Sequence, residues 1–252
     1  MSAGLLRRAF RTPGGNVAEM LYRPETNDFN TLASCMDADE YRLRGLPTPP
    51  GGLFLDVGAH IGGVIVAAAL DFPEAVVVAV EAVPENVALL RLNAERNGVG
   101  RRVRVVGAIA GPPGAATATL WRGFRDAAGG LDHHAWIGLT SYGYRTRGSA
   151  ACEETTAPVV PLAELLLTYG RVGGYAFAKV DIEGAEYAFL SDLAAVAALT
   201  EVRGEWHPVP LPEDGRVAGR GDLLRCFPGH AVTFTGPEGG PGSFTATRAL
   251  VP

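Results

Sequence analysis

The sequence predicts an α/β protein, a mostly parallel sheet with helices on both faces. Three stretches carry the prediction. The run from Phe54 to Gly62, FLDVGAHIG, is apolar and ends in an acid and a glycine turn, and Val64 to Leu70 continues it with Ala-rich helical character. That is a strand, a tight turn and a helix. Ala75 to Glu81, AVVVAVE, is a β-branched run of the kind buried on both faces of a parallel sheet. Tyr175 to Glu183, YAFAKVDIE, is a further strand closed by acids. The first two stretches, with the helix after each, make successive βαβ units, whose crossovers are nearly always right-handed.

Taken in order, residues 1 to 50 show no strong strand signal. Asp28 to Leu46 mixes apolar and charged residues at roughly helical spacing and then meets Pro47, Pro49 and Pro50, which stop a helix. The reading is a helical N-terminal arm or lid over residues 1–50, ahead of one domain over 51–252. Pro84, Glu85 and Asn86 open a helix whose apolar side is Val87, Leu89, Leu90, Leu92 and Ala94, and Asn97-Gly98 closes it. Val103 to Ile109 is a third strand and Thr117 to Trp121 a β segment. From Gly123 to Pro158 the periodicity fails. A loop so long inside a domain is functional or disordered, and Asp132, Trp136, Tyr142 and Tyr144 favour a substrate cap. His133 and His134 read as loop histidines without a ligand. Pro161 to Thr168 and Ala185 to Leu193 are expected helices, Thr200 to Trp206 a fifth strand, Asp222 to Phe227 a helix, and Ala231 to Thr235 and Phe244 to Val251 the last strands.

With 252 residues the chain can bury one large core. Hydrophobic residues make up 47%, charged residues 19%, and the net charge is −5, a composition without a nucleic-acid footprint or a membrane-surface patch. A small-molecule partner is expected. Cys35, Cys152 and Cys226 form no CxxC pair, which speaks against a disulfide framework or a zinc site and for a reducing compartment. No apolar segment follows Arg7, Arg8 and Arg11, so neither a signal peptide nor a membrane span is expected, and the cytoplasm is the expected location. Of the 22 basic residues only Lys179 is lysine, which marks a spot for a compact ammonium beside a carboxylate.

Asp56 and Glu81 each end a strand, with the glycine turn between them. An acid at the end of the second strand is placed to accept the ribose hydroxyls of an adenosine, which NAD and S-adenosylmethionine both carry. A dinucleotide fingerprint needs G-x-G-x-x-G, so that backbone can meet a pyrophosphate. His60 stands where its second glycine would be. An acid ahead of G-x-x-x-G instead suits a cationic amino-acid moiety whose ammonium Asp56 can face, and S-adenosylmethionine becomes the favoured cofactor.

Four patterns together resemble the FkbM family of class I S-adenosylmethionine-dependent methyltransferases: Asp56 to Gly62 (DVGAHIG); Glu81 with Pro84, Glu85, Asn86 and Leu90 to Asn97; Lys179 to Glu186 (KVDIEGAE); and Glu205 to His207 (EWH). The resemblance runs from about Leu53 to Gly229. The family usually has Pro where Ala82 stands and Asn where His60 stands. The resemblance implies a Rossmann-like, seven-stranded sheet with its last strand antiparallel, methyl transfer to oxygen, and acceptors among sugars, lipid-linked saccharides and polyketide natural products. It also places residues 107 to 110, Ala108 among them, beside the adenine.

Methyl transfer from a sulfonium is an in-line displacement whose leaving group needs no help, so the protein must align a hydroxyl and take its proton. Strand alternation puts Lys179, Asp181 and Glu183 on one side of their strand and Glu205 and His207 on one side of theirs. His207 is the first choice of base, oriented by Asp181 or Glu205, with Asp181 second; Glu186 reads as structural. The expected donor-site residues are Asp56, Gly58, Ala59, His60, Gly62, Glu81, Ala108 and Asp181, and the expected catalytic ones are Lys179, Asp181, Glu205 and His207. Asp181, Glu205 and His207 could also hold Mg2+, but one histidine with two acids is equally a base with its orienters, and no metal ligand is assigned. The competing functions are a nicotinamide-dependent oxidoreductase, which His60 obstructs, and a scaffold that kept the fold without the chemistry.

Overall fold

The N-terminal arm begins as a β-hairpin, β1 (Leu6–Arg11) and β2 (Val17–Tyr22), and not as the expected helix. Its inward alternation in the second strand rests on Ala18 and Met20 alone, too faint a pattern to read. Helix follows only in α1 (Asp28–Leu32), which runs on into a π-helical turn, Ala33–Asp37. The remaining elements are β3 (Leu53–Val57), α2 (Gly63–Asp71), β4 (Val76–Val80), α3 (Pro84–Arg96), β5 (Val103–Val106), β6 (Ile109–Ala110), β7 (Thr117–Arg125), β8 (Leu131–Ile137), β9 (Glu153–Val160), α4 (Leu162–Tyr169), β10 (Ala176–Val180), α5 (Glu186–Phe189), α6 (Leu193–Ala197), β11 (Glu201–Trp206), α7 (Arg220–Arg225), β12 (His230–Phe234) and β13 (Gly242–Arg248). This structure, a computed structural model, describes residues 4–24, 26–125, 131–137, 153–211, 215–237 and 240–248.

Seven strands form the main sheet in the order β12-β13-β11-β10-β3-β4-β5. From β11 to β5 neighbours run parallel, and β13 lies antiparallel between β11 and β12. The chain winds outward from β3 in one direction and later from β10 in the other. The carboxyl ends of β3 and β10 therefore flank the switch point, where open α/β sheets bind ligands.

Alternation divides the core between the two faces. Leu53, Leu55 and Val57 of β3 pack with Phe189, Val196 and Leu223 on one side. Phe54, with Phe177 of β10, packs on the other side against α2, α3, the hairpin and the segment after it. Asp56 and Lys179 continue this second face at the strand ends, and the register sets them directly opposite each other. Gly63 to Ala69 of α2 are all buried, because the hairpin covers the side of that helix which would otherwise face water.

Asparagines hold the hairpin in place. Asn93 on α3 and Asn97, four residues on at the helix's C-terminal cap, present their side-chain amides to the free edge of β2. Oδ1 of Asn93 accepts from Leu21 N at 2.7 Å, and its Nδ2 donates to Leu21 O at 3.1 Å and to Ile61 O at 2.9 Å. Asn97 repeats the pattern at Glu19, accepting from its N at 2.9 Å and donating to its O at 3.0 Å. The edge backbone groups are thus satisfied as a third strand would satisfy them. At the other end, Asp71 closes the hairpin turn, accepting from Thr12 Oγ1, Gly14 N and Asn16 Nδ2.

Within the stretch expected as a cap loop, the described residues 123–125, 131–137 and 153–158 are strand. β6, β9, β7 and β8 form a second, four-stranded sheet in that order, with β7 and β9 paired antiparallel from Thr117↔Pro158 to Arg122↔Glu153. β9, EETTAPVV, opens on four polar residues, so no apolar alternation announces it. His133, His134 and Trp136 belong to β8, whereas Tyr142 and Tyr144 lie outside the described residues. The third strand expected over Val103 to Ile109 breaks at Gly107, and Ile109 and Ala110 cross to the second sheet as β6. The single helix expected over Ala185 to Leu193 is two short ones, α5 and α6.

Candidate active site

A cavity of about 290 Å³ opens at the switch point. Its lining brings together Asp56, Gly58, Ala59, His60, Glu81, Ala108, Lys179, Asp181 and Glu205 from the expected site. Gly62 stands behind it at the start of α2, and His207 borders it through the neighbouring carboxylates.

The glycine turn has a steric reason. Gly58 has φ 79°, and a Cβ there would lie 1.9 Å from the carbonyl oxygen of Asp181. Only glycine lets the turn after β3 pass so close to the end of β10. His60 also sits in the left-handed region, at φ 50°, where Asn, Asp and His are the residues enriched outside glycine. Its backbone N donates to Glu81 Oε2 at 2.8 Å, and Val83 N donates to Oε1 at 2.9 Å. The Glu81 carboxylate is thereby aimed while keeping lone pairs on both oxygens.

Asp56 is fully buried. Lys179 Nζ lies 3.5 Å from its Oδ1, and beyond that ion pair neither oxygen has a hydrogen-bond partner among the described residues. Burial pushes the Asp56 carboxyl above its ordinary value, and Lys179 offsets part of that rise. Burial would lower the ammonium of Lys179, but Asp56 and Asp181 outweigh it and raise it further. Lys179 also donates to Gly58 O at 2.7 Å, so the chain's only lysine ties the glycine turn to the sheet.

The second half of the site is a cluster of acids around one histidine. His207 is 7% exposed, and its Nδ1 lies 2.9 Å from Oε1 of Glu186, which is wholly buried. Glu186, and neither Asp181 nor Glu205, is therefore the group that sets the ring, a correction to the orientation expected for His207; Glu186 also accepts from Gly184 N at 3.1 Å and Ile182 N at 3.4 Å, in keeping with the structural part expected for it. The other nitrogen, Nε2, faces Glu183 at 3.4 Å and Glu205 at 3.9 Å. Burial would lower the imidazole pKa, but Glu186, through its hydrogen bond and charge, and then Glu183 and Asp181 raise it to about 10. Burial first, and then the Asp181 charge, push Glu183 to about 8; burial, Asp181 and Glu40 push Glu205 to about 7. Glu183 stands at φ 55°, a strained position for a side chain that faces the cluster. Asp181, Glu205 and His207 each bring one ligand-type atom within 4.8 Å of the others.

Residues ahead of β3 also shape the site: Tyr41 lines the cavity, and Asp28 braces the lining residue His60 from outside it. Asp28, 1% exposed, takes the Arg23 guanidinium on both oxygens and meets His60 Nε2 at 3.2 Å. Burial would raise its carboxyl, but hydrogen bonds and charge from His60 and Arg23 hold it well below the usual range. Tyr41 donates to Asp181 Oδ2 at 2.8 Å. No local signal in the sequence marks either residue.

This geometry meets a family. A family model described as the methyltransferase FkbM domain matches residues 56–230. The chain belongs to the FkbM methyltransferase family. Its sequence is also 30% identical, over 79% of both chains, to the 31-O-demethyl-FK506 methyltransferase FkbM of Streptomyces tacrolimicus. Among solved structures, the precorrin-6y C5,15-methyltransferase of Geobacter metallireducens GS-15 aligns over 85% of this chain and 89% of its own, at 12% identity and a TM-score of 0.43. TrmN of Thermus thermophilus aligns over 93% and 56%, at 17% identity and a TM-score of 0.43. As an FkbM-family protein the chain is an S-adenosylmethionine-dependent methyltransferase, which sets aside the nicotinamide and scaffold alternatives. Its residues fit that cofactor. The oxygens of buried Asp56, which have no hydrogen-bond partner among the described residues beyond the Lys179 ion pair, and the aimed carboxylate of Glu81 are what an adenosyl amino acid requires.

Proposed function

We propose that the protein transfers the methyl group to a hydroxyl of a small molecule or saccharide, as a tailoring step in natural-product or glycan assembly. The observation that carries this is the cluster of Asp181, Glu183 and Glu205 around His207 beside the donor cavity, carboxylates that can take a proton where an acceptor hydroxyl has to lie and an imidazolium that offsets their charge. The name of the Streptomyces tacrolimicus relative, an O-demethyl-FK506 methyltransferase, supports oxygen as the acceptor atom. We place the donor against Asp56, Gly58, Ala59, His60, Gly62, Glu81, Ala108 and Asp181, and the acceptor between Glu205, Glu183 and the substrate cap expected at about residues 123–158. Free, buried Cys35 and Cys226 support a reducing, cytoplasmic setting, and the acidic cavity favours no nucleic acid. Among the described residues no helix is long and apolar enough to cross a membrane.

When bound, S-adenosylmethionine supplies an electrophilic methyl group on a sulfonium. The chain's own residues do the rest. Glu205, pushed up to about 7, would take the proton of the acceptor hydroxyl, whose oxygen would gain the methyl carbon as the sulfonium's carbon–sulfur bond breaks and the neutral thioether leaves. His207, held by Glu186 as an imidazolium at neutral pH, offsets the charge of Glu183 and Glu205 and keeps the latter aimed. Lys179 holds the donor turn against Asp56.

We assign Glu205 to proton transfer in place of the base expected at His207, with His207 and Asp181 as the charges around it, and assign no metal ligand among the three. Turnover unchanged by EDTA or by added Mg2+ is the expected outcome; a loss restored by Mg2+ would move the three to metal ligation. The function itself is tested with methyl-labelled S-adenosylmethionine and a panel of free sugars, macrolide polyketides and tRNA, the product located by mass spectrometry. Label on a hydroxyl oxygen of a sugar or polyketide is expected. Label on nitrogen, or in tRNA alone, would overturn it.

A further inference from the structure

Glu40 and Tyr41 lie upstream of the family-matched residues 56–230, yet both line the cavity. The chain is bent to present them. Asp39 and Arg42, on either side, both have φ 52°, a left-handed conformation costly for non-glycine residues. The bend is fixed from within and from the sheet: Arg42 N donates to Asp39 O at 2.7 Å, Arg44 N to Asp39 Oδ2 at 3.1 Å, and Arg203 of β11 reaches over to the carbonyls of Tyr41 and Arg42, the former at 3.1 Å. Tyr41 is 7% exposed, with Lys179 Nζ 5.1 Å from its ring centre. Its hydroxyl donates to Oδ2 of Asp181, while Oδ1 of Asp181 is buried and without a hydrogen-bond partner among the described residues.

We propose that Tyr41 is a positioning residue of the methyl-donor site, holding one oxygen of Asp181 so that the other is fixed for the ligand. The bare Oδ1 is the second observation, since a buried carboxylate oxygen left unbonded calls for a partner. This rests on the assignment of Asp181 to the donor site. It adds to the family domain a working side chain from the N-terminal segment.

The test is a double-mutant cycle on the full chain, with S-adenosylhomocysteine affinity measured by calorimetry for wild type, Tyr41→Phe, Asp181→Ala and the double variant. Tyr41→Phe keeps the ring over Lys179 and removes only the donor, and a cooperative thermal transition shows that each variant is folded. A hydrogen bond to a charged group makes the expected loss about tenfold for Tyr41→Phe. Asp181→Ala should lose at least as much, and the double variant no more than Asp181→Ala alone. An unchanged affinity in Tyr41→Phe, or the same further loss with and without Asp181, would overturn the proposal. If Asp181→Ala alone binds like wild type, the failure lies in the assignment of Asp181 instead.

Discussion

His207 shows how burial and partners compete at a single residue. Its folded pKa of about 10 stands above the ordinary value near 6.5, so the sign is that of a group stabilised in its protonated form. Its contribution to stability is complete below about pH 6.5 and is lost as pH rises through about 10. Thermal melts across that window should decline in wild type and much less in Glu186→Gln, whose His207 NMR titration should move toward neutrality. Glu205 carries the converse prediction for rate. With its carboxyl at about 7, kcat/KM should climb as pH rises through 7, and Glu205→Gln should lower kcat by about 10²- to 10⁴-fold with S-adenosylhomocysteine affinity little changed.

At the scale of elements, the hairpin and the donor turn are one mechanical unit. Asn93 is fully buried and bonds both to β2 at Leu21 and to the carbonyl of Ile61 inside the turn. Asn93→Ala would leave two β2 backbone groups and one turn carbonyl without partners, a loss of about 2–4 kcal/mol. Chemical denaturation should show that loss, together with weaker S-adenosylhomocysteine binding, although Asn93 is not among the residues that line the cavity. The arm was misread from the sequence because β2 buries only Ala18 and Met20 and takes its outer hydrogen bonds from side chains of α3. Thr117 to Trp121 is the β segment expected, but β8 and β9 escape the sequence reading for a related reason. Pairing with β7 organises them, not an apolar period, and β9 opens on Glu and Thr.

For the whole molecule, ligand and acid act on stability in ways that can be separated. Saturation with S-adenosylhomocysteine at about 100 times Kd adds about 2.7 kcal/mol. For a chain of this size that is a rise of about 5–10 °C in Tm. Acid acts through carboxylates held low. Hydrogen bonds from Arg216 and charge bring Asp222 down to about 2 against its burial, and Asp28 lies well below the usual range. Both contribute above the unfolded value near 3.9 and are lost as pH falls below about 4, so acid unfolding should begin there and shift upward in Asp28→Asn.

The strand ends, the glycine turn, the acid that closes β4 and the methyltransferase family were all legible in the sequence, because each is a local pattern: a β-branched run, an acid, a turn that only glycine can make. So was the meeting of Asp181, Glu205 and His207, once β10 and β11 were taken as neighbours. Only the tertiary structure decided who partners whom. Lys179 meets Asp56 because the register of two strands distant in the chain sets them side by side. His207, after β11, answers to Glu186, after the neighbouring β10, and Tyr41 reaches Asp181 across 140 positions of sequence. Such pairings carry no local period or motif. They arise when packing fixes the distance between elements, and a carboxylate buried by that packing takes whichever donor the fold has placed beside it.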